Sequence, residues 1–222
     1  MKQNSTTIAE KRLALLRKNT LFAPMTDAEI TAALSLFAAR PAAYARGELL
    51  HRMGEPLLAF GIVLSGSVQV YTDDLDGNRM MMASVEPGGT FGESLAYLAT
   101  PAPVYIQSAA GAEVLWLDPA CLRAPRADTH ALHARFTATL AARALEMNDR
   151  IQILSKPTLR EKILCFLSQA ERRNGARTFT IPLDREGLAT YLGANRAALS
   201  RELSSLKRAG VIDYYKNSFK IL

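Results

Sequence analysis

The chain has 222 residues, 49% hydrophobic and 22% charged, which excludes a disordered protein and gives room for two modest domains. Its net charge of +6 is unevenly spread: residues 155–222 hold 13 Lys and Arg against 6 Asp and Glu, a net +7, and residues 1–154 carry −1. No run approaches the roughly 18 uncharged apolar residues that a membrane-spanning helix needs.

The opening segment "MKQNSTTIAEKRLALLRKN" has no apolar core and no small-residue cleavage site, so export is not expected. The two cysteines, Cys121 and Cys165, are far apart; they fit a reducing cytoplasm better than a disulfide framework. Residues 8–19 and 27–37 read as two short helices, the second capped by Thr26 or Asp27. From Pro41 onward glycines recur between short apolar or alternating runs: "ELLHRM", "FGIVLSGSVQVY", "RMMMASV", "VYIQSA" and "AEVLWL". This pattern predicts a β-barrel or sandwich of about eight strands. Asp76-Gly77 reads as a hairpin turn. Met80, Met81 and Met82 are expected to alternate in and out of their strand and to serve mainly as core.

The period then changes. Residues 129–154 contain neither Gly nor Pro, and Phe136, Leu140, Ala144, Met147, Ile151 and Leu154 follow at steps of four or three. That narrow stripe predicts a long helix that seats against a second copy of itself, with Leu140, Ala144, Met147, Ile151 and Leu154 in the seam. The competing arrangement is a helix packed on its own barrel. Pro157 closes the helix, and Thr158 with Glu161 forms a capping box for the next one. A strand over "RTFTIPLD" follows, then a short helix capped by Asp184 and running to Leu192. Gly193 makes a tight turn, a helix spans Arg196–Arg208, and Gly210 ends it. "VIDYYKNSFKIL" reads as a hairpin with Lys216-Asn217 at its turn.

Helix, tight turn, helix and hairpin on a basic module form a constellation suited to DNA. Ala189 is small where two helices approach, and Leu199, Leu203 and Leu206 make one apolar stripe. Ala197, Arg201, Ser204 and Arg208 lie on the opposite side, with Asn195, Arg196 and Ser200 near the helix start. Such a helix can enter a major groove, where Arg reads guanine and Ser binds phosphate. Arg196, Arg201, Ser200, Ser204, Arg208, Asn195 and Ala197 are therefore the candidate DNA-binding residues. The geometry suits B-form DNA rather than RNA.

The order of "GELLHRMGEP", "GIVLSGSVQVY", "DGNR", "PGGTFGESL", the long helix and the helix-turn-helix resembles the Crp/Fnr family of bacterial transcription regulators over nearly the whole chain. The resemblance implies an α+β fold. Residues 1–128 would form an effector-sensing, cyclic-nucleotide-binding-like β-roll (jelly roll) with N-terminal helices. Residues 129–155 would form the dimerisation helix, and residues 156–222 the winged helix-turn-helix. It further implies a cytoplasmic homodimer on a near-palindromic operator, a small-molecule effector in the roll, and contact with RNA polymerase. Ser200 and Arg201 match the family's recognition-helix pair, and Arg196 stands at a specificity position. Ala197 stands where many members have a base-reading Glu, and Glu202 where an apolar residue is common.

The segment "FGESLAYLATPAPVYIQ" aligns with the family's phosphate-binding cassette, so the resemblance makes Gly92, Glu93, Ser94, Leu95, Pro103 and Val104 the candidate effector pocket. Gly92 and Glu93 are kept, but Pro103-Val104 replaces the pair whose Arg would hold a cyclic phosphate. A buried phosphate with no cation beside it is costly, so cyclic AMP is not expected. An iron–sulfur cluster needs about four thiolates and is not expected from two distant cysteines. Haem stays open as a cofactor, with His51, His130, His133 and methionines as candidate ligands. His130 and His133, three apart, lack a third metal ligand. Cys165 reads as inert core, and Cys121 lies beside a basic turn.

Two other classes compete. An enzyme would need a catalytic signature, and no nucleophile elbow, zinc-protease motif, P-loop or dinucleotide fingerprint occurs. A ligand-binding regulatory subunit acting through protein contacts would share the roll, but its contacts would lack the steep salt dependence of DNA binding.

Overall fold

The computed structural model describes residues 12–73, 79–123 and 127–222. The chain divides into two compact units after Ala141, within the long helix. Its first half belongs to the N-terminal unit and its second half to the C-terminal one.

Among the described residues, the N-terminal unit has a helix at residues 12–16 (α1), followed by α2 at Asp27–Leu36. Thr26 is the cap of α2, and its side chain accepts from the Glu29 backbone while Glu29 reaches back to Thr26. Six strands follow: β1 Arg40–Tyr44, β2 Leu49–His51, β3 Phe60–Asp73, β4 Arg79–Val85, β5 Thr90–Phe91 and β6 Tyr105–Leu117. Short helices α3 (Glu93–Leu98) and α4 (Ala120–Arg123) flank β6, and α5 spans His130–Leu154.

The sheet is antiparallel in the order β1-β6-β3-β4, with β2 also on β6 and β5 also on β3. Phe60 pairs with Leu117 at one end of the β3–β6 ladder and Tyr71 with Tyr105 at the other. Both strands are irregular midway, between Val63 and Ser65 and between Gly66 and Val68. Each long strand thereby serves two halves of a roll: β1 pairs with the Ala112–Trp116 half of β6, and β2 with Ile106 and Gln107. The expected count of about eight strands is corrected to six among the described residues. "VYIQSA" and "AEVLWL" are one bent strand, because Gly111, with φ of +83°, bends the backbone without ending it. The turn read at Asp76-Gly77 lies outside the described residues, although Asp73 and Arg79 on either side are paired.

The core of this unit centres on Phe37, Phe60 and Phe136. Phe37 meets Phe60 edge-on at 5.5 Å, and Phe136 of α5 lies 5.6 Å from Phe60. Leu140 packs against the same cluster. The methionine expectation is corrected: Met80, Met81 and Met82 are all exposed, because β4 is the edge strand and both its faces are open.

The C-terminal unit contains α6 (Leu159–Asn174), β7 (Thr178–Thr180), α7 (Arg185–Tyr191), α8 (Arg196–Arg208), β8 (Ile212–Tyr215) and β9 (Ser218–Ile221). The expected Thr158–Glu161 capping box starts α6. The strands form a sheet in the order β7-β9-β8. Its core joins Ile163 and Leu167 of α6, Leu188 of α7, three leucines of α8, and Ile212 and Phe219 of the hairpin. Ile153 of α5 is buried in the same cluster.

The bend of the roll yields a stability test. A Cβ on Gly66, whose φ is +72°, would sit 1.7 Å from the Gly111 carbonyl oxygen, whereas Gly54, at φ +86°, has open space around it. Gly54→Ala is expected to cost about 1 kcal/mol for left-handed backbone alone, and Gly66→Ala about 3 kcal/mol or more because the strands must also part. Urea unfolding midpoints measure both; equal losses would mean that the strands do not meet at Gly66.

Candidate functional site

The helix-turn-helix is built by local chemistry. Asp184 Oδ1 accepts from the Gly187 N–H at 2.7 Å and starts α7. Ala189, almost fully buried, lets α8 approach. Gly193 turns the chain with φ of +65°, and the Ala194 N–H donates to the Ala189 carbonyl at 2.9 Å. Asn195 then caps α8, its Oδ1 accepting from the Ala198 N–H at 2.8 Å. Asn195, read from sequence as a DNA-contact residue, thus has its side-chain oxygen committed to the helix start.

Leu199, Leu203 and Leu206 are fully buried under α8. Arg196, Ala197, Ser200, Arg201, Ser204 and Arg208 are all exposed on the other side. Ser204 Oγ donates back to the Ser200 carbonyl at 2.9 Å, so its hydroxyl proton is used within the helix. Glu202, which departs from the family's apolar residue, reaches Arg160 of α6 at 3.2 Å and ties α8 to α6. Lys207 meets Asp213 at 2.6 Å. Among the described residues, Arg196, Arg201 and Arg208 appear in none of the ion pairs.

Sequence reasoning missed the hairpin side of this surface. Arg185 donates to the Lys216 carbonyl at 2.8 Å, with its guanidinium 5.0 Å from the Tyr214 ring and 5.2 Å from Phe219. Burial pulls its pKa down from the usual arginine value, and the Tyr214 interaction opposes that. Arg185, Lys216, Asn217 and Arg196 line one groove of about 410 Å³ with Asp184 and Glu186. Tyr215 stands exposed at the hairpin tip. One signal was available: a basic residue in the first turn of a helix opposes the helix dipole, so Arg185 needed a reason outside the helix.

The sensor segment lies in the N-terminal unit. Gly92 precedes α3 with φ of +82°, Glu93 is buried, Ser94 exposed and Leu95 half-buried. Pro103 is exposed and Val104 half-buried, before β6. Neither supplies a cation. Arg123, on α4, donates instead to the Ala96 and Tyr97 carbonyls at 3.0 and 3.3 Å. His51 Nε2 lies 2.9 Å from the Glu55 carbonyl, and His130 and His133 are exposed on α5. Among the described residues no three His, Cys, Asp or Glu side chains gather as a metal site. Cys121 packs against the N-terminal core and Cys165 against the C-terminal core, each half-buried.

Along α5, Ala144, Met147, Ile151 and Leu154 are exposed, Met147 by 65% and Ile151 by 62%. Within the C-terminal unit, the opposite side of the helix is occupied: Ile153 is buried and Asp149 pairs with Arg173 at 2.6 Å. Leu140, placed in the seam by sequence, is largely taken up by its own core.

Comparison with known proteins adds the class. The family described as the cyclic nucleotide-binding domain matches residues 41–124, and the Crp-like helix-turn-helix domain matches residues 161–222. With both on one chain, in that order, the chain belongs to the Crp/Fnr family, which is a family of transcription regulators rather than enzymes. The transcriptional activator protein FnrL of Cereibacter sphaeroides is 44% identical over 69 residues, 27% of this chain and 28% of that protein. The anaerobic regulatory protein of Pasteurella multocida is 22% identical over 172 residues, 75% of this chain and 63% of that protein. The matches thus span less than two thirds of either relative's length. Among solved structures, a regulatory protein from Silicibacter pomeroyi is 25% identical, with a TM-score of 0.54 over 96% of this chain and 94% of that one. The Thermus thermophilus catabolite activator protein, 24% identical with a TM-score of 0.52 over 92% and 94% of the two chains, shares the fold. No described helix is long and apolar enough to cross a membrane.

The Lys207–Asp213 contact predicts a pH effect. The hydrogen bond from Lys207, then that from the Tyr214 N–H, hold the Asp213 carboxyl below the usual range. A depressed folded pKa gives stability that is present above the unfolded value of about 3.9 and lost as pH falls through the folded one. Urea midpoints of the wild type and Asp213→Asn should differ at about pH 7 and converge near pH 2. A gap that stays constant over that range would remove the carboxylate from the account.

Proposed function

We propose that the chain is a cytoplasmic, homodimeric, sequence-specific DNA-binding transcription regulator that reads its operator through α8 and responds to a small molecule held in the β-roll. The observation that carries this reading is that Arg201 and Arg208 are exposed opposite the buried leucines of α8, with Arg196 exposed near its start, and that none of the three is in an ion pair among the described residues. Two copies joined along Ala144, Met147, Ile151 and Leu154 would present two such helices to successive major grooves about 34 Å apart. The near-palindromic operator and a contact with RNA polymerase belong to the same reading. Arg185, Lys216 and Tyr215 extend the surface toward the phosphate backbone.

On this reading the effector is not cyclic AMP. Pro103 and Val104 offer neither a charge nor a side-chain donor to its phosphate, so addition of cyclic AMP should leave operator affinity unchanged. Haem is a candidate effector on this reading, with His51, His130, His133 and the roll's methionines as its candidate ligands.

Operator selection from random duplexes, followed by titration, tests the central claim. Arg201→Ala should cost about 1–3 kcal/mol on the selected site and relax preference at one position of each half-site. Unchanged affinity would remove Arg201 from the reading face. The wild type should lose affinity steeply with salt, with a slope near −0.9 per phosphate neutralised; a flat response would favour a subunit acting through protein contacts. Met147→Glu and Ile151→Glu should each give monomers by sedimentation, because each would bury a carboxylate in the seam. A dimer that survives both would place the interface elsewhere.

A further inference from the structure

Four of the chain's seven methionines gather beside the β3–β4 ladder of the N-terminal unit: Met53, just after β2, and Met80, Met81 and Met82 on β4. All four are exposed, by 41% to 55%. Apolar side chains scattered singly over a surface are ordinary, but a contiguous set marks a site of interaction. Each of these side chains also carries a soft, polarizable sulfur.

The ladder brings the sulfurs toward one another. Met53 Sδ lies 3.9 Å from Thr72 Oγ1 on β3. Thr72 and Met80 are direct cross-strand partners, so their side chains share one face, with Cβ atoms about 5 Å apart. Met53 and Met80 thus flank the same threonine from different segments of the chain. Next along β4 the register shifts: Tyr71 pairs with Met81 and Val70 with Ala83, which leaves Met82 as the unpaired residue of a β-bulge. Bulges re-aim a side chain and are common beside functional sites. Met81 stands opposite Tyr71, on the other face of the hairpin from Thr72. Val70, two residues before Thr72 and on its face, packs against the core. The Met53–Met80 pair therefore sits where the apolar inner face of the roll meets water.

We propose that Met53, Met80 and Met82 form a site for one Cu(I) ion. Thioether sulfur is a soft donor of the kind that selects Cu(I), whereas Mg(II), Ca(II) and Mn(II) take oxygen. The three donors are neutral and offset little of the charge of an ion brought against an apolar face, so a monovalent ion is favoured over a divalent one. The ion fastens the segment after β2 to the edge strand β4, which the sheet holds apart with β6 and β3 between them. The site needs neither the operator nor an occupant elsewhere in the roll.

The test uses the full chain, kept free of oxygen, with Cu(I) titrated against a chromophoric Cu(I) chelator. One equivalent should bind. Met53→Leu, Met80→Leu and Met82→Leu, each close in volume and at an exposed position, should each weaken binding about tenfold or more. Met81→Leu should leave it at the wild-type value. The affinity should stay level from about pH 5 to pH 8, because a thioether has no proton to lose; a site built on His51 or a cysteine would weaken as pH falls. In the wild type with methyl-labelled methionine, the Met53 and Met80 methyl resonances should move together on adding Ag(I), a redox-inert substitute, while that of core-packed Met25 stays in place. An unmoved Met53 methyl, an affinity that falls with pH, Met81→Leu as damaging as Met80→Leu, or undiminished binding by any of the other three leucine variants would each overturn the proposal.

Discussion

Leu199, Leu203 and Leu206 are fully buried beneath α8, and this burial decides what the helix can present. Each such side chain contributes about 1.5–3 kcal/mol relative to exposure. The exposed side makes only weak contacts that would resist rotation, since a surface ion pair is worth about 0–1 kcal/mol. The leucines therefore set the rotation of α8 about its axis, and with it the outward placement of Arg196, Ser200, Arg201 and Arg208. The caps at Asp184 and Asn195 set where the two helices begin. The Arg160–Glu202 contact acts on a helix already oriented by its core.

The same division of faces governs α5. Phe136 is buried with Phe37 and Phe60 at one end of the helix, and Ile153 is buried in the C-terminal core at the other. Between them Ala144, Met147 and Ile151 stay open. An apolar stripe on a helix otherwise lined by Arg143, Glu146, Asp149 and Arg150 has a cost in water that a matching stripe removes. Phe136 and Leu140 fit a helix packed on its own barrel, and Met147 and Ile151 do not. The first half of the helix thus takes the arrangement packed on its own barrel, and the second half leaves its apolar stripe exposed.

Features encoded over a few residues were legible in the sequence. The Thr158–Glu161 capping box, the cap at Thr26, the Asp184 cap, the Gly193 turn and the helix over Arg196–Arg208 all rest on contacts within about four residues, and the structure has them. What depended on distant partners was not legible. "VYIQSA" and "AEVLWL" looked like two strands, and only the pairing of both with β3, Ala112 opposite Gly66, makes Gly111 a bend within β6. Met80 to Met82 carry a strand pattern, but a pattern cannot tell a central strand from the edge position that exposes them. Arg185 gained its place beside the hairpin only when β8–β9 brought Lys216, Tyr214 and Phe219 to it. Gln169 reads as an ordinary helix residue until the Asp149 carbonyl takes its amide nitrogen.

The excess positive charge of the last third of the chain is also sorted by the fold. Arg160 is paired with Glu202, Arg173 with Asp149, and Lys207 with Asp213. These pairs neutralise cations that brace α6, α5 and the hairpin. Among the described residues they leave Arg196, Arg201 and Arg208 outside every ion pair, Arg201 and Arg208 on the side of α8 opposite its leucines and Arg196 near its start. Like charges held together on one rigid helix repel, and water and salt screen that repulsion only in part. A phosphate backbone relieves it while releasing its own counterions. The arrangement therefore disfavours the free surface slightly and favours the bound one strongly. A net charge of the same size spread evenly over the domain would attract DNA without fixing where α8 lies on it.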